Sequence, residues 1–432
     1  MQFLPNASKH PEIQPKDIQP KDIQPKKESQ LKPHQRHVKV SKSKPREVLG
    51  KLGLWMLFWI VLADIGINQL FAYPHKAETA SVASNSNSPE PNSPEPNSPE
   101  PNSLERYFDY GRSIEGKLNR MVASTVESSD PIINLGWIDP QAWESRPDAP
   151  KDDDDLLVAY YGMSFSDDIG RALTEIDSNI TLRSIVGPSA PPNHSYAAYM
   201  ADTSGRANAD VVMFTVLSSS LKRMRSLSGL SWNYEHPSPY SYPYYHLNSQ
   251  GELVAVEPAI ANAEEFVSAF TRKGESWQQL KAQMAKYDVG FDPIVFNNSW
   301  TDKSALLRLL RRGWANRVRQ RSDRGLYNPA TGFNPEAPEI ETLKVMFSNF
   351  VTTARDANQL PLIIIISDGG YDNSLYKILS PHFQSINAPA LSTYELIPSD
   401  NPANFKTSGH FTPAANIEIA KALRKIMAEA DL

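Results

Sequence analysis

Two side chains in this 432-residue chain stand where a nucleophile and its general base could meet. Ser164 follows an apolar run of strand length, residues 156–161, and the turn residue Gly162, and a pattern that can open a helix comes directly after it. A strand, a tight turn and a helix place the turn at the carboxyl edge of a parallel sheet, where open α/β sheets bind ligands. His410 lies in a loop before the last helical pattern, for which Thr412 is a suitable N-cap. The sequence therefore predicts that Ser164 and His410 face each other across this edge.

A serine hydroxyl beside an imidazole can attack an acyl carbon, because the imidazole accepts the hydroxyl proton as the new bond forms. Each residue also has a plainer interpretation. Ser164 could simply be a small polar residue in a strand-to-helix turn, and His410 could be a loop histidine bonded to backbone. A phosphate site after the first strand is disfavoured, since Asp167 and Asp168 would occupy the helix N-terminus that a phosphate needs.

The elements that position these side chains are predicted from continuous apolar runs. Strands are expected at residues 180–186, 211–217 and 362–366 and near 390–393, and runs apolar on both faces indicate a parallel sheet with helical crossovers. We therefore expect an α/β fold of three α/β/α layers, with a mainly parallel five-stranded sheet.

An insertion of about residues 227–358 separates the third and fourth strands. It is expected to hold helices at 259–286, 302–321 and 339–358, after an aromatic loop or small hairpin at 227–256. Among the aromatic side chains of that hairpin, Trp232 and Tyr234 are candidates for stacking on a sugar ring.

Composition limits the function classes. The net charge of −5 argues against nucleic acid as a general partner, and the absence of cysteine excludes disulfides and thiolate catalysis. The four acids at 152–155 precede the first strand, and a solvent-exposed segment is favoured there over a metal site. No metal-ligand spacing stands out elsewhere. We expect neither a metal nor a cofactor.

The first hundred residues form three segments. Residues 1–51 carry 12 lysine and arginine residues against five acids and read as a disordered basic arm. Residues 52–73 are long enough to span a bilayer, although Asp64 weakens the pattern. The shorter apolar run 52–63 could instead belong to a signal peptide, but we favour an uncleaved anchor. Residues 74–103, with their SPEPN repeats, fit a semi-rigid tether before a domain at 104–432.

The orientation of the anchor follows from its flanks. Positive charges crowd before residues 52–73, and only Lys76 follows closely, so the amino end is expected in the cytoplasm and the folded domain outside it, in the periplasm or an equivalent extracytoplasmic space. The membrane is thus an expected partner through one helix.

Taken together, Gly162-Met163-Ser164 after the first strand and GHFTPAAN, which includes His410, at the last helix resemble the SGNH (GDSL-type) hydrolase superfamily, whose fold is flavodoxin-like. The resemblance covers roughly residues 156–423 and is greatest to membrane-anchored members that act on envelope glycans. It implies that His410 takes the proton of Ser164. It also implies an oxyanion hole formed by the N–H groups of Ser164 and Gly187, with Ser219 in the place of the family's asparagine.

The chain departs from the family where an acid is expected, two or three residues before the histidine. Ser408 and Thr407 stand there, so Asp400 from the same loop is the predicted third member, with Asp368 from a neighbouring strand end as the alternative. A carboxylate matters because it fixes the histidine tautomer, and its loss costs about 10⁴-fold in kcat in serine proteases.

Three functions remain open from the sequence. The first is an esterase that removes acetyl or other acyl groups from an envelope polysaccharide or a small acylated substrate through Ser164 and His410. The second is a polysaccharide O-acetyltransferase on the same site. The third is a catalytically inactive glycan-binding or assembly protein, which the missing aspartate and asparagine would allow.

Overall fold

The computed structural model describes residues 45–70, 107–124, 131–430 and 432. The chain divides into two units, residues 1–58 and 59–432, and of the first unit the described part is the beginning of one helix. The predicted basic arm up to residue 44 and the whole predicted tether lie outside the described residues.

Helices and strands alternate through most of the second unit. The described helices are α1 (Pro45–Leu70), α2 (Ile114–Ser124), α3 (Pro131–Asn134), α4 (Ser164–Ile176), α5 (Pro192–Ala201), α6 (Gly229–Trp232), α7 (Ala263–Arg272), α8 (Glu275–Tyr287), α9 (Pro293–Phe296), α10 (Ala305–Asp323), α11 (Pro338–Asp356), α12 (Ser374–Ser385), α13 (Thr393–Leu396) and α14 (Pro413–Glu429). The strands are β1 (Leu156–Gly162), β2 (Ile180–Val186), β3 (Val211–Leu217), β4 (Tyr244–Leu247), β5 (Leu253–Val256), β6 (Tyr327–Asn328), β7 (Gly332–Phe333), β8 (Leu360–Ile366) and β9 (Ala390–Ser392).

The central sheet has five strands in the order β2-β1-β3-β8-β9, and every neighbouring pair is parallel. Its strands correspond to the predicted apolar runs, and β3 is buried along its whole length. This confirms the expected α/β fold with a parallel five-stranded sheet. The carboxyl ends of β1, β3 and β8 therefore lie side by side at one edge.

Helices cover both faces of this sheet, because successive strand side chains point to opposite sides. Val158 and Tyr160 of β1 pack in one apolar cluster with α4 and α14. Leu157 and Tyr161 of the same strand pack in another with α5, α11 and α12. The three layers predicted from the sequence are thus α4 and α14, the sheet, and α5 with α11 and α12.

The insertion between β3 and β8 contains the hairpin β4–β5, the short hairpin β6–β7 and the helices from α6 to α11. The single helix expected at 259–286 is wrong: α7 and α8 are separated at Lys273, whose left-handed backbone (φ 51°) ends α7 before Gly274. Residues 107–109 are helical as well, and a turn at 110–112 separates them from α2.

Helix α1 contains the predicted membrane span. Its residues Gly50–Leu70 are long and apolar enough to cross a bilayer, so α1 could be a membrane anchor. Its polar residues near the carboxyl end contact α10: Asp64 Oδ1 accepts the Leu306 N–H at 2.9 Å, and Arg308 Nη2 donates to Asn68 Oδ1 at 2.6 Å.

Candidate active site

Ser164 is the first residue of α4 and its side chain is exposed. Strand β1 ends at Gly162, and Met163 has the extended backbone of an N-cap residue. The turn is tight because a Cβ on Gly162 would lie 1.8 Å from Thr215 Oγ1 and 2.2 Å from Ser166 Oγ. Glycine at this position therefore lets β1 pass close to β3 while α4 starts directly above the sheet edge.

His410 is presented by a short hairpin before α14. Phe405 and Phe411 form a bridge across it, and the Lys406 N–H donates to the His410 carbonyl at 2.7 Å. Gly409 turns the chain with a φ of +85°, which few other residues adopt without strain. The imidazole stacks on Phe165 of α4, with ring centroids 4.6 Å apart and planes 19° apart.

Ser164, His410 and Asp168 form a continuous hydrogen-bonded series. Ser164 Oγ is 3.2 Å from His410 Nε2, and His410 Nδ1 is 2.8 Å from Asp168 Oδ2. A carboxylate only accepts hydrogen bonds, so the Nδ1 atom of a neutral His410 carries the proton and Nε2 is left to accept the Ser164 hydroxyl. This is the arrangement in which an imidazole can act as a general base on a serine.

Asp168 is held as an anion by its surroundings. Burial acts to raise its pKa, but hydrogen bonds from His410 and Arg171 and the charge of Lys406 outweigh burial, so the pKa lies below its ordinary value. Arg171 Nη2 donates to Asp168 Oδ1 at 2.5 Å, which leaves Oδ2 for the imidazole.

The acid at His410 is therefore Asp168, not the predicted Asp400 or its alternative Asp368. Asp400 is exposed at the rim of the same cavity and forms no hydrogen bond with His410. Asp368 instead accepts the Ser219 N–H at 3.1 Å. The signal for Asp168 was its spacing: residues four apart on a helix share a face, so an acid at 168 lies beside the side chain at 164.

The predicted oxyanion donors are placed differently from one another. Ser164 N–H is at the free amino end of α4, and no acceptor for it occurs among the described residues. The Gly187 N–H instead donates to the Gly162 carbonyl at 3.1 Å, and Ser219, predicted in the place of the asparagine, is bound to Asp368 through both its side chain and its N–H. Ser189 lines the cavity with a left-handed backbone (φ 54°), and the part of the chain that the structure describes holds no acceptor for its N–H.

A cavity of about 870 Å³ opens at this edge and is lined by Ser164, His410, Ser219 and Asp400, among others. The predicted sugar-stacking residues are not in it. Trp232 and Tyr234 line a neighbouring cavity of about 230 Å³, which shares Arg223 with the first.

Within residues 45–70, 107–124 and 131–430, no group of three or more histidine and acidic side chains is arranged to hold a metal ion. The hydroxyl, imidazole and carboxylate of the series are by themselves the groups that acyl transfer through a serine needs.

Comparisons with protein-family models, with curated proteins and with solved structures give no match to this chain.

Proposed function

We propose that this chain is a serine hydrolase of acyl esters, with Ser164 as the nucleophile, His410 as the general base and Asp168 as the residue that orients the imidazole. The observation that carries the proposal is the pair of distances, 3.2 Å from Ser164 Oγ to His410 Nε2 and 2.8 Å from His410 Nδ1 to Asp168 Oδ2. A carboxylate at Nδ1 supports catalysis over the inactive binding protein, because a carboxylate there fixes the imidazole tautomer that can accept the serine proton.

The proposed reaction has two acyl-transfer steps. Ser164 Oγ attacks the ester carbonyl while His410 Nε2 takes its proton, and the imidazolium then gives that proton to the departing alcohol oxygen. Water, activated by the same imidazole, attacks the acyl-enzyme and releases the carboxylic acid with free Ser164. The Ser164 N–H at the α4 terminus supports the oxyanion, with the Ser189 N–H as the proposed second donor in place of Gly187.

Hydrolysis is favoured over transfer to a sugar because the Ser164 side chain is exposed to solvent. Water then reaches the acyl-enzyme from the open cavity without a closing step. A transferase would need to keep water away until its acceptor bound.

The substrate and location proposed are an acylated glycan of the cell envelope, met outside the cytoplasm by a domain anchored through α1. The support is the apolar stretch of α1, the positive charge before it, and the sequence resemblance of the serine and histidine segments to envelope-acting SGNH hydrolases.

The test is turnover of 4-nitrophenyl acetate by the full chain in detergent, compared with Ser164→Ala. Ser249→Ala, at the exposed tip of the β4–β5 hairpin, is the matched control. We expect activity in the parent and the control and none in Ser164→Ala, with a fluorophosphonate labelling Ser164 in the first two. Equal turnover by the parent and Ser164→Ala would refute the proposal.

A further inference from the structure

Arg223 is the residue at which the two cavities meet. It lines the larger cavity together with Ser164 and His410, and it lines the smaller cavity together with Trp232. Its guanidinium lies over the Trp232 ring, 4.4 Å from the centroid, and Nη1 donates to the Ser189 carbonyl at 2.6 Å. These contacts fix the position and the plane of the guanidinium between the two cavities.

Arg223 differs from its basic neighbours in having no acidic partner. Lys222 lies 3.5 Å from Asp323, and Arg225 lies 2.6 Å from Glu339. No carboxylate of the described residues forms an ion pair with Arg223, and its bond to one backbone carbonyl leaves the other N–H groups available. Burial lowers the pKa of Arg223, although the charge of Asp368 acts in the other direction, as expected of a cation that has lost water without a carboxylate in contact.

We propose that Arg223 binds an anionic oxygen group, a carboxylate or a phosphate, of the substrate whose ester Ser164 cleaves. This inference rests on the proposed function and adds a substrate class to it, an O-acylated acidic saccharide. A guanidinium presents a planar fork of donors that matches both groups, and its partial burial strengthens each bond. The ester then lies in the larger cavity while the acidic group reaches the boundary with the smaller one.

Other charges of the larger cavity are compatible with an anion there. Lys406 and Asp400 are both exposed at the rim and have opposite signs. Asp368 is the acidic residue whose charge acts on the pKa of Arg223. Burial raises the pKa of Asp368, although hydrogen bonds from Ser219 and the charge of Arg223 act in the other direction.

The first experiment compares two substrates that differ by one group. The full chain in detergent is given methyl O-acetyl-glucuronoside or methyl O-acetyl-glucoside, and acetate release is followed. We expect kcat/KM to be about tenfold or more higher for the uronide, the size of effect that a charged hydrogen bond gives. Arg223→Gln should abolish this preference, and Arg223→Lys should keep part of it, because lysine retains the charge without the fork.

Two features keep the result interpretable. The ratio between the two substrates separates recognition of charge from any general loss of activity through Ser189. Arg317→Gln, which removes a charge from the exposed face of α10, should leave the ratio unchanged. A parent enzyme that cleaves both acetates equally well would overturn the proposal.

A binding experiment separates this inference from the catalytic one. Calorimetric titration of the Ser164→Ala chain with glucuronate, glucose 6-phosphate and glucose needs no turnover. Tighter binding of either anion than of glucose, lost in Ser164→Ala/Arg223→Gln, supports the site, and the anion that binds identifies carboxylate or phosphate as the group recognised. Equal binding of all three overturns the site whatever the esterase assay shows, whereas anion binding without turnover overturns the proposed hydrolase alone.

Discussion

Asp168 lies one helical turn beyond Ser164 in α4, and both side chains contact the same imidazole. Asp168 Oδ2 is 2.8 Å from His410 Nδ1, and Ser164 Oγ is 3.2 Å from His410 Nε2. The proposed nucleophile and acid are thus fixed relative to each other by a single helix. The imidazole comes from a distant part of the chain, and it is held by the carboxylate on one side and by stacking on Phe165.

The substitution Asp168→Asn should reduce kcat on 4-nitrophenyl acetate by about 10⁴-fold, because an amide can donate to Nδ1 and so favours the tautomer that cannot accept the serine proton. Asp168 has a lowered pKa and is a carboxylate throughout the neutral range in the parent, so its own titration should not change the ratio of parent to variant activity between about pH 6 and 9. Asp400→Asn provides the comparison, because Asp400 lies in the same cavity without contacting the imidazole. A larger loss in Asp400→Asn than in Asp168→Asn would show that the other acid serves His410 in solution.

The turn before Ser164 should not accept a methyl group. In Gly162→Ala the new Cβ would lie 1.8 Å from Thr215 Oγ1, so β1 and β3 must separate, and we expect unfolding to become easier by about 1–3 kcal/mol. In Gly313→Ala nothing lies within 4 Å of the new methyl, and alanine in an exposed helix interior should stabilise by about 0.5–1 kcal/mol. Chemical denaturation of the two variants measures the change in the free energy of unfolding, which should be a loss for Gly162→Ala and a gain for Gly313→Ala. No change for Gly162→Ala would mean that the turn is packed less tightly than these distances indicate.

Asp288 should make the protein less stable as the pH rises. Burial raises its pKa to about 8, although bonds from Ser231 and the Leu227 N–H act to lower it. The folded state therefore binds more protons than the unfolded state between about pH 4 and 8, so the contribution to stability is complete below the unfolded pKa and is lost as the pH rises through 8.

The variant Asp288→Asn tests this, since it is neutral at every pH and keeps an oxygen for the Leu227 N–H. Denaturation midpoints at pH 5, 6, 7 and 8 should fall more steeply for the parent than for Asp288→Asn. Asp356→Asn, at an exposed position, should retain the slope of the parent. Parallel pH profiles for Asp288→Asn and the parent would contradict the raised pKa.

The sheet could be predicted from the sequence because strands buried on both faces are apolar at every position, as β3 is. The break between α7 and α8 depends on a left-handed lysine, Lys273, a conformation that its residue type does not predict, and Gly274 after it is the local signal that a helix ends there. The same limit applies to Gly187. The family resemblance implies a free backbone donor there, but whether the Gly187 N–H is available depends on the neighbouring Gly162 carbonyl.

The pairing of distant residues was predicted better than the nearby acid. Strand order alone brings Ser164 to the sheet edge, and the last helix brings His410 to it. Asp167 and Asp168 are typical of a helix amino end, and the family resemblance places the acid beside the histidine instead. The helical spacing of 164 and 168 contained the information, but local charge at a helix amino end is common for reasons unrelated to catalysis.

Asp64 and Asn68 weaken α1 as an apolar span, yet both are used by the fold. Asp64 Oδ1 accepts the Leu306 N–H, one of the unsatisfied donors in the first turn of α10, and Asn68 accepts from Arg308, whose side chain is buried. The end of α1 is thus a packed element of residues 59–432.

We therefore expect Asp64→Leu to destabilise the full chain in detergent by about 1–2 kcal/mol, even though leucine makes α1 more apolar. Gln69→Leu is the matched control, because Gln69 is a polar residue of the same helix with an exposed side chain and should give no loss. Thermal denaturation of both variants, with 4-nitrophenyl acetate turnover as the check on folding, makes the comparison. A melting temperature that rises in Asp64→Leu would contradict this prediction. The contact between Asp64 and α10 would then contribute nothing to the stability of the domain, and Asp64 would only interrupt the apolar stretch.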